Sequence, residues 1–170
     1  MGKLFVILAA AFVLAACSSS QTPQQTASPA ASASAPASPS TNTSEVRSVV
    51  ERFGKRMQKI STLAPSDAVR NEFPKVYAGL LAPQLFDSWR ARPDQVVGRE
   101  GSSPWPQQIE IDNIQCAGRD TCRVTGNVDY VTSNEVTHGG VFMRRTITLD
   151  VAHTALGWRI TAVRLAPAKD

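Results

Sequence analysis

Three cysteines and a thin scatter of titratable side chains are the residues of this chain that could do chemistry. Cys17 closes the stretch Leu14-Ala15-Ala16-Cys17, directly after an apolar run, and its thiol is the one side chain there that can carry a lipid. Cys116 and Cys122 flank Ala-Gly-Arg-Asp-Thr, which has the composition of a turn. A redox-active pair would want the tighter C-x-x-C spacing and an electropositive helix start. This wider spacing predicts a structural disulfide across a hairpin, stabilising by about 2 kcal/mol on the chain-entropy model. Two cysteines and two distant histidines, His138 and His153, offer no zinc spacing. Nor is there a Gly-rich phosphate loop or a nucleophile elbow. No metal and no cofactor is expected.

Lys3 and the unbroken apolar run from Leu4 to Leu14 precede Cys17. A helix needs about 20 residues to cross a bilayer, so this run is too short and suits a signal h-region. With Leu14-Ala15-Ala16-Cys17 it resembles the lipobox of bacterial lipoproteins. That resemblance implies cleavage of a signal peptide, residues 1–16, and acylation of Cys17, with palmitate among the chains. It also implies export to an oxidising compartment, where Cys116 and Cys122 would pair. Ser18 stands where lipoproteins retained in the inner membrane typically show Asp, so the pattern implies the outer membrane, facing the periplasm. The implied partner is therefore a membrane, held through the N-terminal acyl anchor. An envelope compartment offers no nucleic acid, and the formal charge of +4 is not read as a sign of that partner.

The elements that would position the remaining groups follow. Residues 18–43 contain only Ser, Thr, Ala, Pro, Gln and Asn. They cannot bury enough apolar area to offset ordering entropy, so 17–43 reads as the lipidated cysteine and a disordered tether. As a coil it spans about 25–30 Å. Ala/Ser/Pro-rich tethers of this look carry O-glycans in some bacterial lipoproteins. A single domain is expected over 44–167, with 168–170 as a tail.

Within that domain Val46, Val49, Val50, Phe53, Met57 and Ile60 form an apolar helical stripe, with Asn42 and Glu45 offering a cap. Val69, Phe73, Val76, Tyr77, Leu80 and Leu81 repeat the pattern. Pro74 is tolerated in a first turn, which starts that helix near Phe73. Pro83 opens a third helix with Leu85, Phe86 and Trp89 inward, stopped by Arg92-Pro93. The second half alternates as strands. Pairing Cys116 with Cys122 sets Ile114 against Val124. One extra residue at Asp112-Asn113 then pairs Ile111 with Gly126 and Ile109 with Val128, which predicts a β-bulge. A third strand over 140–153 has Val141, Met143, Ile147, Leu149 and Val151 on one face. After a turn at Thr154–Gly157 the parity of the last strand slips near Ala162-Val163. The fold class is α+β: N-terminal helices on a curved antiparallel sheet of about four strands.

The long first helix, the segment Tyr77-Ala78-Gly79-Leu80-Leu81-Ala82-Pro83 and the hairpin ending Gly157-Trp158-Arg159-Ile160 together resemble a cystatin-like roll of the nuclear transport factor 2-like type. The resemblance spans 44–167 and implies a curved sheet around a helix, with a cone-shaped pocket between them. Members of that family include isomerases and dehydratases, ligand binders and assembly modules. Fold alone does not choose among these.

Catalytic members usually place an Asp, His or Tyr in the cone, where burial can shift its pKa. Here the inward face is Val, Ile, Met and Leu, and Asp129 and Asp150 have outward parity. His138 sits in a Thr-His-Gly-Gly turn and His153 at a strand end, positions that suit a loop and a rim better than a catalytic pair. Arg145 shares parity with Met143 and Ile147. It would either receive an anionic ligand group at the pocket mouth or project, wetted, from an overhanging strand; the overhang is the expectation. Trp105, locked between Pro104 and Pro106, is a candidate partner contact, with packing between helices and sheet as the more ordinary role. Tyr77 is the third ligand or partner candidate. Arg52, Lys55, Arg56 and Lys59 lie about opposite the apolar stripe, a solvated face that could rest on anionic lipid or peptidoglycan.

The expected function is a lipid-anchored, non-catalytic binding or assembly module, with an envelope protein or peptidoglycan as partner. One alternative is a small-molecule pocket protein or an isomerase- or dehydratase-like enzyme. The other is a periplasmic inhibitor or immunity protein acting through the polar loop Ser133–Gly140. Oligomeric state is not legible in the residues.

Overall fold

A computed structural model of the chain describes residues 41–168. The expected signal peptide, Cys17, the tether up to residue 40 and residues 169–170 lie outside them.

Helix α1 (Thr41–Met57) buries the whole predicted stripe, and Ile60 continues it just past the helix end. The expected cap is not formed. Asn42 lies inside the helix, which takes in residues assigned to the tether, and its Nδ2 donates to the carbonyl of Arg119 at 3.2 Å. Thr and Asn are poor helix formers. A tertiary bond to a distant hairpin outweighs that preference here.

Helix α2 runs Ser66–Val76, so Pro74 falls in its last turn rather than its first. There the proline removes a single intrahelical bond, and the Tyr77 N–H closes the next one on Phe73 O at 2.8 Å. The Arg56 guanidinium donates to the carbonyls of Val76 and Ala78 at 2.9 and 3.3 Å, capping the helix from outside. The chain then turns. Leu81 makes a parallel bridge to Ile160 in place of further helix, with Ala82 N–H to Ile160 O and Ile160 N–H to Leu80 O both at 2.8 Å. Helix α3 (Pro83–Ala91) starts at its proline as expected, buries Trp89, and gives way to a single 3-10 turn at Pro93–Gln95.

Strands β1 (Trp105–Ala117), β2 (Thr121–Val131), β3 (Met143–Thr154) and β4 (Gly157–Leu165) form one antiparallel sheet in chain order. The predicted register holds along β1 and β2. Cys116 pairs with Cys122 through a disulfide, Ile114 with Val124, Ile111 with Gly126 and Ile109 with Val128, with the bulge at Asp112. A second irregularity, at Gln107, was not expected. In β4 the extra residue is Thr161, one position before the expected slip. Val141 does not belong to β3; it is exposed on the connection before it. That connection is not a long polar loop either, since Ser133–His138 forms a short helix, α4.

The α+β class holds. Helices α1–α3 cover the face of the sheet carrying Val124, Val128, Ile147, Leu149, Val151 and Ile160, all buried. Helix α1 lies so close over β1 that a Cβ on Gly54 would stand 2.7 Å from the Ile109 nitrogen. Only glycine allows that approach.

Candidate functional site

Inside the core shared by the helices and the sheet, aromatic rings pack against one another. Phe53 lies 4.9 Å from Tyr77 and 6.4 Å from Trp89 between centroids, and Phe73 lies 6.2 Å from Trp89. Tyr77, the ligand or partner candidate, is enclosed among them. It is 1% exposed, its hydroxyl donates to Val97 O at 2.7 Å, and burial pushes its phenol well above the ordinary tyrosine range. A single strong hydrogen bond to a backbone carbonyl satisfies it.

Arg145 overturns the expectation of an overhanging, wetted side chain. It is 8% exposed. Its Nη1 donates to both carboxylate oxygens of Glu100 at 2.8 Å and to the Tyr130 hydroxyl oxygen at 3.2 Å, and its Nε donates to Ala166 O at 2.8 Å. The guanidinium carbon stands 5.6 Å from the centre of the Tyr130 ring. Parity placed Arg145 on the inner face correctly. Its partners come from the loop after α3 and from the C-terminal stretch, at separations no local pattern reaches. Burial pushes the Tyr130 phenol above its ordinary value, against the opposing pull of the Arg145 charge.

The outer face carries a second polar network. Asp129 has the outward parity expected of it, yet it is 2% exposed. Its two oxygens accept from Arg144 Nε and Gln108 Nε2, both at 3.0 Å, and Arg144 reaches Glu110 at 2.8 Å. These groups, with Glu51, Lys55 and Val141, line a cleft of about 460 Å³. Further along the same face Arg123 and Arg164 bind Asp150 at 2.8 and 2.9 Å, and the Arg123 hydrogen bond first of all holds its carboxyl below the usual range.

Two solved structures are similar to this arrangement. The intermembrane space region of the chloroplast protein ARC6 is 11% identical, with 72% of this chain and 92% of that one covered and a TM-score of 0.39. A nuclear transport factor 2 (NTF2-like) superfamily protein from Salmonella enterica serovar Typhimurium is 13% identical, covering 74% of this chain and 93% of that one, with a TM-score of 0.42. No family model matches the chain, and no curated protein matches it.

The other candidates are dispersed. Arg52 and Lys55 are exposed on α1 and Lys59 is exposed just past its end, whereas Arg56 is half-buried and engaged at the end of α2. Trp105 is half-buried opposite Val131, while Trp89 and Trp158 are buried at 3% exposure each. His138 ends α4, its Nδ1 3.1 Å from Asn134 O, and the exposed His153 packs edge-on against Trp158 at 5.3 Å. They come from different elements, His138 from the end of α4 and His153 from the far end of β3. Among the described residues no group of three or more His, Cys, Asp or Glu could hold a metal ion, and no helix is long and apolar enough to cross a membrane.

Helix α4 has a cause that was written in the sequence. Thr132-Ser133-Asn134-Glu135 is a capping box: the Thr132 hydroxyl accepts from the Asn134 N–H, and Glu135 accepts from the Thr132 hydroxyl and N–H. The hydroxyl bond chiefly holds the Glu135 carboxyl down at about 2, from an ordinary 4.5. A depressed carboxylate contributes its stability fully above the ordinary value and loses it as pH falls through the folded one. The Thr132 amide resonance should therefore titrate with a midpoint near 2. A midpoint at 4.5 in the NMR titration would mean that the box does not form.

Proposed function

We propose that this chain is an exported lipoprotein, held by acyl chains on Cys17 at the outer membrane and facing the periplasm. Its α+β domain acts as a non-catalytic binding or assembly module for an envelope partner. The observation that carries the module reading is the filled interior. Phe53, Phe73, Tyr77 and Trp89 pack ring against ring in the core, where the resemblance implies a pocket. Tyr77, Tyr130 and Arg145 are each engaged with protein partners, whereas the buried indole N–H of Trp158 has none. Recognition is then the work of the surface. The lipobox resemblance and the Cys116–Cys122 disulfide support the compartment.

An inhibitor or immunity role has one observation behind it. Val136 on α4 and Phe142 just after it, each 57% exposed, present apolar side chains on the β2–β3 connection that would suit blocking an enzyme.

Metabolic palmitate labelling with cell fractionation tests the anchor. The wild type is expected to carry label and to sediment with outer membranes. Cys17→Ala should lose the label and move to the soluble periplasm. An unlabelled wild type, or an unchanged distribution of the variant, would dispose of the anchor. A photo-crosslinker at position 142 in the native envelope should give a discrete adduct that the same group at Gln107 does not, and equal adducts at both would count against a surface-binding module.

A further inference from the structure

Arg145 carries a permanent charge at 8% exposure, and a buried cation is stable only when paired. Glu100 supplies the pairing, yet its own side chain is 53% exposed. The two partners are thus unequal. Glu100 has water to swing into, whereas Arg145 does not and would need another anion in its place. The segment holding Glu100 is tied to the body at Arg99, whose N–H and carbonyl bond Ile60 O and Thr62 N–H at 2.6 and 2.9 Å. Beyond it, Gly101–Pro104 belongs to no helix or strand. Glu100, Gly101, Ser103, Met143, Tyr130 and Arg145 together border a cleft of about 160 Å³. At roughly 30 Å³ per water, that is room for an acid with a few carbon atoms.

We propose that Arg145 and Tyr130 form a binding site for a carboxylate, and that Glu100 occupies it from within the chain as a displaceable stand-in. The inference rests on the reading of the domain as a binding module and names a ligand class for it; its failure would leave the anchor on Cys17 untouched.

The donor set selects the anion. Arg145 Nη1 donates to both oxygens of the Glu100 carboxylate, and an incoming acid would take over those contacts. Tyr130 accepts from Arg145, which leaves its own proton to donate. Because burial raises the Tyr130 phenol, that proton stays on oxygen at neutral pH. One guanidinium balances one negative charge, so a phosphate dianion would bring a charge the site does not compensate. Met143 and Pro104 offer apolar contact to the carbon next to the carboxylate. Two sources share this chemistry, a small free acid and the C-terminal carboxylate of a peptide chain.

The full-length lipoprotein in detergent micelles is titrated calorimetrically with propionate and with N-acetylalanylalanine. Glu100 competes in the wild type and lowers the apparent affinity, so E100Q should bind about tenfold tighter. Its melting temperature should rise with either probe more than with the same concentration of chloride. Y130F and R145K, each placed on E100Q, should both weaken binding, R145K because a single ammonium cannot hold Ala166 O and the carboxylate at once as the guanidinium does. Should E100Q fold only when a probe is present, that rescue supports the site equally. Tighter binding of the dipeptide assigns chain termini, and binding of propionate alone assigns free acids. Equal affinities of the wild type and E100Q, or a melting temperature that responds to chloride as it does to the probes, would overturn the proposal.

Discussion

A Gly126→Ala variant should unfold about 3 kcal/mol more easily than the wild type, near the upper end of the usual cost of overpacking. Gly126 pairs with Ile111 on β1 and Ile147 on β3, immediately beside the bulge at Asp112. A methyl group there would overlap the carbonyl oxygen of Glu110 and press on the Ile111 Cα at 3.2 Å. Both obstacles are backbone, so no rotamer change relieves them. The strand that would have to move is held by the Cys116–Cys122 disulfide at one end and by α1 against Ile109 nearer the other. Gly101→Ala is the control, because its Cβ would meet nothing nearer than the Ser103 carbonyl oxygen at 3.7 Å, and it should stay within about 0.5 kcal/mol. Urea midpoints at unchanged slope give both values. If the two variants unfold at the same midpoint, β1 is free to shift and the bulge does not pin the register.

The second large effect is expected from Phe53→Ala, at about 4 kcal/mol. Phe53 is fully buried on α1 and packs against both Tyr77 and Trp89, whose rings also meet each other. Tyr77 is held by its bond to Val97 O and Trp89 by its helix, so neither ring can relax into the gap. The cost therefore combines lost transfer energy with a cavity that does not collapse. Phe142→Ala removes the same ring from a 57% exposed position and should be close to neutral. The size of the loss also bears on function. A cost near 1 kcal/mol would mean that the inner space is loosely packed and already holds solvent or a ligand, and the pocket-protein reading would regain ground. A cost near 4 kcal/mol is what a filled interior demands.

Much of this architecture was legible in residue order because periodicity and register are local or pairwise constraints. The spacing of Val46 to Ile60 admits one helical face. A single disulfide pair, with period-two alternation on both sides of it, leaves one register that keeps Ile109, Ile111 and Val128 off the outer face, and the bulge at Asp112 follows. Where local rules competed, they misled. Pro74 was placed in a first turn by propensity, but the packing of Val69 and Phe73 against the core extends the helix upstream of it. The capping box at Thr132–Glu135 makes a helix of residues whose polarity alone reads as a loop.

The candidate site divides along the same line. Residue types and parity suffice to put a permanent charge on the inner face at Arg145 and carboxylates on the outer face at Asp129 and Asp150. They carry no information about which of many exposed acids folds back to meet that charge. Glu100 does so from a loop 45 positions away, Ala166 from the other side, and Tyr130 through a neighbouring strand. The burial of Asp129 likewise depends on Gln108 and Arg144 converging from two flanking strands. Hydrophobic burial acts on each residue by its type and so leaves a periodic trace along the chain. An ion pair depends on where two chosen side chains end up in space, and that is known once the chain has closed on itself.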